Sequence, residues 1–497
     1  MKESLLNYKL IIVVFATLIF SGCKSKIKDN EVAQNSKTRE VFEKTKHNIL
    51  FISIDDFKPF VNKFGATKAI TPNIDKLASE SVQFNNAYTN IAVCGASRAS
   101  VMTGIRPSQT RFTDYNSTVS EHAPDAMTLN HLFQKNGYAT ISYGKIYHNV
   151  NDQKEYWDDV DKGQIQHDYQ DLKKIELIKT RNEKGKNRLK TPIIEYPEVD
   201  DYAYSDGKIT KNALRKMKTL KEENKPFFMA VGYVSPHLPF IQPKKYWDMY
   251  NHGAIELADN PFKPENAPDI AMTAQHDSAE LRGMYLDVPQ KGPVSIEMAK
   301  DLIHGYYASV SYMDKLIGDL IQGLEDLGLR DNTSIVLWSD HGYFLGEHGM
   351  WTKHSTFNEA VKIPLLISSP KYEKHKTTES FTELVDLYPT LCDLTNIEKP
   401  SYLHGESLIP VLENPSTMLK TEIYTRYKEG EAVIDKDYSY TEFYRGDEYL
   451  GNMLYDQSKD IKQNIDISKR PENKEIVDKY SKKLEIMQNK VNKEPAY

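Results

Sequence analysis

The sequence predicts an α/β protein built on a large, mostly parallel sheet flanked by helices, with a small C-terminal antiparallel-sheet subdomain. Three observations predict it. From His47 onward, short apolar runs rich in β-branched and aromatic residues alternate with helical periodicity, the rhythm of strands buried on both faces. Four of those runs stop at clusters of Asp, His, Lys and Gly. Beyond about residue 401 the pattern changes to short Tyr-rich strands and one terminal helix. At 497 residues the chain is long enough for one large domain and a smaller one, and 39% hydrophobic with 27% charged residues is the balance of an ordinary globular protein.

Taken in order, the first element is not part of the fold. Lys2 and Lys9 precede an apolar run over residues 10–20, which ends in Ser21, Gly22 and Cys23. The run is shorter than the roughly 20 residues that span a bilayer and suits the core of a signal peptide. The small residues before Cys23 look like a bacterial lipoprotein processing site, with Phe20 in place of the usual leucine; a plain secretory signal cut elsewhere is the alternative. The expected organisation is a lipoprotein signal peptide over 1–22, a polar tether over 23–45, the α/β domain over 46–400 and the subdomain over 401–497. A lipidated Cys23 would tie the exported chain to a membrane, at the outer membrane or in the periplasm of a Gram-negative bacterium.

The formal net charge is −6, and losing Lys2, Lys9 and Glu3 with the signal peptide makes it 62 minus 69, or −7. Such a field predicts no nucleic-acid partner, and any polyanionic ligand must be captured by a local basic pocket.

The first strand, 48–54, stops at Asp55 and Asp56. A second, 139–143, stops at Gly144 and Lys145, with His148 three residues on. A third, 227–233, stops at Ser235, Pro236 and His237, and a fourth, 334–338, at Ser339, Asp340, His341 and Gly342. Ligands of open α/β sheets bind beyond the carboxyl ends of strands, so these four clusters are expected to converge. Asp55, Asp56, Asp340 and His341 form an oxygen-rich donor set that suits Ca2+ or Mg2+ better than a thiophilic metal. Each acidic pair taken alone also reads as a helix N-cap. The polar excursions between His148 and Phe227 and over about 250–295 are expected to shape a substrate pocket, with a helix opening at Asp206 and running through Leu220. A helix over 383–394 would carry Cys392 as a small buried hydrophobe.

Residues 94–104, CGASRASVMTG, resemble the sulfatase signature Cys-x-Pro/Ala-Ser-Arg-x4-Thr-Gly. The resemblance extends through NILFISIDDFKP (48–59), TPNIDKLA (71–78), GYATISYGKIYH (137–148), VSPHLPF (234–240) and SDHGYFLGEHGMWTKHSTF (339–357). Residues 47 to about 400 thus resemble the catalytic domain of type I sulfatases, of the alkaline phosphatase-like superfamily, nearest its iduronate-2-sulfatase-like bacterial polysaccharide sulfatases.

That resemblance implies that a maturation enzyme oxidises Cys94 to Cα-formylglycine, whose hydrated aldehyde is the nucleophile. A thiol that took up sulfate would keep it as a thiosulfate, whereas the hydrate can expel sulfate by collapsing back to the aldehyde. It implies a calcium ion, or magnesium, held by Asp55, Asp56, Asp340, His341 and the modified Cys94. Arg98, permanently charged, would anchor the ionised diol. Lys145 and Lys353 would clamp sulfate oxygens, His148 would take the proton that triggers sulfate release, and His237 would protonate the departing sugar oxygen. Taken singly, an exposed lysine is usually only solvated and a lone histidine usually structural. With Cys23 lipidated and Cys94 modified, Cys392 is left alone and no disulfide forms within the chain.

Trp351 and His354, beside Lys353, are candidate substrate contacts; His354 stands where the iduronate enzymes lead one to expect tyrosine, and Met350 where they lead one to expect glutamate. Strands at 422–427 and 438–443 precede a helix over about 475–491, and Tyr444 and Arg445 either only pack that sheet or line a glycan subsite. The implied function is removal of sulfate from a sulfated poly- or oligosaccharide, with uronate-containing glycans such as algal ulvan or glycosaminoglycans as leading candidates. A phosphomonoester or phosphonate hydrolase of the same superfamily and a non-catalytic glycan-binding lipoprotein are the alternatives.

Overall fold

The structure, a computed structural model, describes residues 46–59, 68–161, 168–183, 190–272, 279–289, 291–372 and 374–493. The signal peptide, Cys23 and the tether lie outside the described residues.

Eight strands form the main sheet: β1 (Asn48–Ile54), β2 (Val82–Phe84), β3 (Ala139–Gly144), β4 (Asp159–Asp161), β5 (Phe227–Tyr233), β6 (Thr333–Ser339), β7 (Leu365–Ser368) and β8 (Lys376–Thr378). Their order is β8-β2-β7-β6-β1-β5-β3-β4, and β7 alone among them is antiparallel to its neighbours. β1 is fully buried because it lies at the centre, and its side chains divide by the period of two. Leu50, Ile52 and Ile54 pack beneath α1 (Pro72–Ser79), α4 (Ser205–Glu222) and α5 (Ile296–Asp326). Ile49 and Phe51 face the other way, onto α2 (Cys94–Thr103), α3 (Leu129–Lys135) and α6 (Leu387–Thr395). α5 spans 31 residues, starts where the Ser295 side chain accepts from the Met298 amide at 3.1 Å, is buried on all sides from Leu302 to Asp314, and buries one apolar stripe from Leu316 to Leu324.

The expected helix over 383–394 begins later. Thr382–Glu383 is a strand, Leu384–Asp386 a 3-10 turn, and only Leu387–Thr395 is α-helical. The reason is side-chain chemistry: the Glu383 carboxylate accepts from Arg106 and Lys420, and its backbone amide donates to Asp386 at 2.8 Å, which holds the first turn out of the helix. Cys392 is fully buried, and that burial pushes its thiol up to about 12.

β9 (Glu422–Tyr427), β10 (Gly430–Asp435), β11 (Tyr438–Arg445) and β12 (Glu448–Asp456) form an antiparallel meander. Tyr424, Val433, Tyr440 and Leu454 on one face pack on Tyr480 and Leu484 of α7 (Lys474–Lys493). Ile423, Ile434, Met453 and Tyr455 on the other face share a core with Phe344, Met350, Phe357 and Val361, the segment that follows β6. Residues 48–497 form one compact unit.

Two histidines make stability depend on acidity. His348 and His404 are buried, and burial pushes them down to about 4 and about 3. Both are neutral in the fold, while in the unfolded chain they take up protons near pH 6.5, so the unfolded state binds more protons as pH falls and stability drops. The expected loss between pH 7 and pH 5 is about 2 kcal/mol for each histidine. Urea melts at the two pH values check it, and His348→Gln should flatten the dependence; an unchanged slope would remove His348 as a contributor.

Candidate active site

The four polar clusters meet because the strand ends are in register. Ile54 lies opposite Tyr233 on one side and Ser339 on the other, and Gly144 opposite Gly232. The ladder continues past the strands: the Asp55 amide donates to Tyr233 O at 3.2 Å, Asp340 to Ile54 O at 3.3 Å and Lys145 to Gly232 O at 2.8 Å. Two glycines permit this closure. A Cβ on Gly144, whose φ is +80°, would stand 2.1 Å from Gly232 O, and a Cβ on Gly232 would stand 2.1 Å from Lys145 O. The Lys145 carbonyl can therefore turn inward and accept from Ser53 Oγ at 3.1 Å and from Arg98.

Cys94 is the first residue of α2, buried at the helix N-terminus. Its Sγ lies 3.1 Å from His341 Nε2. One turn on, Arg98 is fully buried: its Nε donates to Asp340 Oδ2 at 2.8 Å, and Nη1 to Ser53 Oγ and Ile146 O, both at 3.2 Å. Ser97 Oγ donates to Asp340 O at 2.7 Å, tying the helix to the end of β6. Lys145 Nζ pairs with Asp55 Oδ2, and Lys353 Nζ with Asp56 Oδ1 at 2.6 Å. His237 is partly exposed; its Nδ1 donates to Leu238 O at 2.5 Å, and Nε2 is 3.8 Å from Asp56 Oδ2.

The charges act on one another strongly. Burial alone would raise Asp55, but Lys145, His237, Arg98 and Lys353 together hold it well below the usual carboxylate range. Burial pushes Asp340 up to about 7, with Arg98 opposing. Burial would also raise the Cys94 thiol, yet Lys145, Lys353 and His341 bring it down to about 6, a thiolate at neutral pH, as a helix N-terminus also favours. Burial works against the His341 cation, but Asp340 and Cys94 raise it to about 9. His148 is pushed down to about 4 by burial and by Lys145, and its buried Nδ1 has no hydrogen-bond partner, so it is a neutral imidazole.

Three non-glycine residues here sit at positive φ: Asp56 at 58°, Thr352 at 76° and His354 at 68°. Such backbone persists only where the surroundings over-determine it, and it clusters at functional sites. Asp56 is pinned from behind by Tyr306, whose hydroxyl donates to Asp56 O at 2.9 Å and accepts from the Lys58 amide at 3.1 Å. Lys58 is itself buried between Glu347 at 2.6 Å and Glu359 at 2.5 Å. Ser53, Ser97, Tyr306 and this lysine triad were not expected from the sequence; Lys58 lies two residues past Asp56, and only the buried acids facing it mark it out.

A pocket opens onto Asp56, His237, Thr352 and Lys353. Its other wall is Leu238 with Leu281, Met284 and Tyr285, from the short helix Ala279–Met284 and the residue after it. That wall comes from the 250–295 excursion, whose composition gave no sign of which residues would face the site. Trp351 is 5% exposed, paired with Leu345 and packed into the core beneath the sheet. His354 stacks on Tyr427 with ring centroids 5.4 Å apart. Tyr444 packs edge-on against Tyr449, and Arg445 is exposed with Glu429 at 3.7 Å. A second pocket lies between Ser355, Thr356 and the β9–β10 turn at Lys428 and Glu429.

The donor atoms fit a divalent cation. One atom each from Asp55, Cys94, Asp340 and His341 lie within 4.8 Å of one another, and a second set joins Asp56, Cys94 and His237. Asp55 Oδ1 is buried with no hydrogen-bond donor. His341 Nδ1 donates to Gly342 O at 3.0 Å, which orients the ring with Nε2 toward Cys94 Sγ and the cluster.

The profile of the family described as Sulfatase matches residues 47–397, and that of N-sulphoglucosamine sulphohydrolase, C-terminal, matches 346–490. The chain is 34% identical to iduronate 2-sulfatase of Mus musculus over 387 residues, 71% of this chain and 69% of that one. It is 26% identical to an ulvan-active sulfatase of Formosa agariphila over 420 residues, 81% and 70% of the two chains. Among solved structures, one in complex with its substrate D-glucosamine-2-N,6-O-disulfate superposes with a TM-score of 0.74 at 24% identity, covering 91% of this chain and 99% of the other. A phosphonate monoester hydrolase from Silicibacter pomeroyi does so with 0.73 at 21% identity, covering 91% and 96%.

Proposed function

The chain belongs to the sulfatase family and is a sulfuric ester hydrolase, and from that premise we propose that it removes sulfate from a sulfated poly- or oligosaccharide with Cys94 matured to formylglycine. The observation that carries the reading is the convergence of Cys94, Arg98, Lys145, Lys353 and the Asp55–Asp340–His341 set at one buried centre beside an open cavity. The named substrates of the relatives, an iduronate sulfate and ulvan, favour a uronate-containing glycan. Export as a lipoprotein anchored through Cys23, at the outer membrane or in the periplasm, fits a polymer too large to enter the cell.

Asp55, Asp56, Asp340 and His341 would hold a calcium ion, with magnesium as the alternative; when bound, it withdraws charge from a sulfate oxygen and lowers the barrier to attack. The chain's own groups do the rest. Lys145 and Lys353 hold sulfate oxygens, and Arg98 fixes the position of the residue-94 side chain through the carboxylates it spans. His148, neutral, accepts a proton from that side chain. His237 already donates Nδ1–H to Leu238 O, so it delivers a proton from Nε2 only as the imidazolium, with Asp56 Oδ2 3.8 Å away. Leu281, Met284 and Tyr285 keep water from the leaving oxygen.

The reading is tested by measuring sulfate released from defined sulfated oligosaccharides and by comparing an aryl sulfate with an aryl phosphate. Preferential phosphate turnover would overturn it in favour of a phosphoester or phosphonate hydrolase. In the same assay His237→Ala should slow sugar esters by about 10²- to 10⁴-fold and leave activated aryl sulfates nearly untouched, because proton donation matters only to a basic leaving group. Equal losses on both would remove His237 from the acid role.

A further inference from the structure

We propose that the chain as translated, before Cys94 is modified, binds a zinc ion through Cys94 Sγ, His341 Nε2 and one carboxylate oxygen each of Asp55 and Asp340. The four atoms already lie within 4.8 Å of one another in a buried pocket, and sulfur and imidazole nitrogen are 3.1 Å apart. One sulfur, one nitrogen and two oxygens make the four-coordinate mixed set that zinc takes, whereas calcium takes six to eight oxygens and has no use for sulfur.

The surroundings orient these donors. The Gly342 carbonyl takes the Nδ1 proton of His341, so Nε2 is the ring nitrogen turned toward the sulfur and free to ligate once its proton is displaced. Arg98 braces Asp340, Lys145 braces Asp55, and Asp55 Oδ1 is left buried without a donor. Such outer contacts fix ligand orientation in zinc sites. On binding, Zn–S and Zn–N bonds form, and the proton held between Cys94 Sγ and His341 Nε2 leaves to solvent. The two carboxylates and the thiolate outweigh the ion by one negative charge, which Arg98 and Lys145 offset. Replacing sulfur by an oxygen group at residue 94 then removes the one soft ligand, so modification changes the metal preference of the site as well as its nucleophile. This inference concerns the unmodified chain and stands or falls apart from the proposed substrate.

The test uses the full chain expressed without a maturation enzyme, with unmodified Cys94 verified by intact mass. Titrating the metal-free protein with Co2+ should produce a near-ultraviolet thiolate-to-cobalt charge-transfer band that saturates at one equivalent, is abolished by Zn2+ and survives excess Ca2+. Cys94→Ala and Cys94→Ser, checked for folding by circular dichroism, should lose the band and bind zinc at least about 100-fold more weakly. In the wild-type chain, zinc should also block alkylation of Cys94 by iodoacetamide, a readout that needs no variant. Absence of the band, unprotected Cys94, or zinc binding that survives both substitutions would overturn the proposal. The last outcome would move the ion elsewhere, for example to the surface group His252, Glu297 and Asp301.

Discussion

Cys94→Ala in the matured enzyme is expected to lower sulfate release by about 10⁴-fold or more, because it removes the group that bonds to sulfur and leaves only binding and electrostatics. The fold should survive. Cys94 opens α2 instead of capping it, no side-chain cap bond to the helix amides is lost, and the change in volume beyond Cβ is small. Thermal melts of the two proteins should nearly coincide while their activities diverge. The parallel measurement is mass: matured wild-type chain should be lighter than the translated sequence by about 18 Da, the change from thiol to aldehyde. Activity that persists in Cys94→Ala would end the formylglycine reading, whatever the substrate.

Asp340→Asn is expected to reduce activity by about 10³-fold and to abolish the rise in melting temperature that calcium gives the wild-type protein, since a charged ligand is lost with almost no change of shape. Asp340 has more than one partner: Arg98 Nε at 2.8 Å, the Asp56 amide at 3.3 Å and His341 Nε2 at 3.6 Å. The substitution therefore also weakens the compensation of a fully buried guanidinium, and removing one partner of a buried pair costs about 3 to 5 kcal/mol. Asp55, 3.7 Å from Arg98 Nη2, offsets part of that loss. If calcium still raises the melting temperature of Asp340→Asn as it does in wild type, Asp340 is not a ligand.

Much of the candidate site is legible in the chain because its residues lie immediately after strands. β1 and β5 match the ranges read from the sequence, since runs such as Ile49–Ile54 carry no competing helical period. The terminal helix read at 475–491 is Lys474–Lys493, and the helix read at 206–220 is Ser205–Glu222. Two placements escape local pattern. Trp351 sits in a Gly-rich loop beside Lys353, and the short pairing of Leu345 with Trp351 turns it into the core. The helix expected from residue 383 starts late because Arg106, Lys420 and Asp386 claim Glu383.

Local pattern alone determined the strand ends, the oxygen-rich donors and the place of Cys94 at a helix start, since each depends on neighbours a few residues away. Tertiary structure alone decided which groups meet. Cys94 and His341 are 247 positions apart, Arg98 and Asp340 242, and Lys353 and Asp56 297. Those contacts exist because β1 lies between β5 and β6 with their ends level, and because two glycines let β3 and β5 close. The apolar wall of the cavity depends in the same way on where a long excursion returns. Strand order and loop path are set by how distant faces bury one another, and no local spacing encodes that.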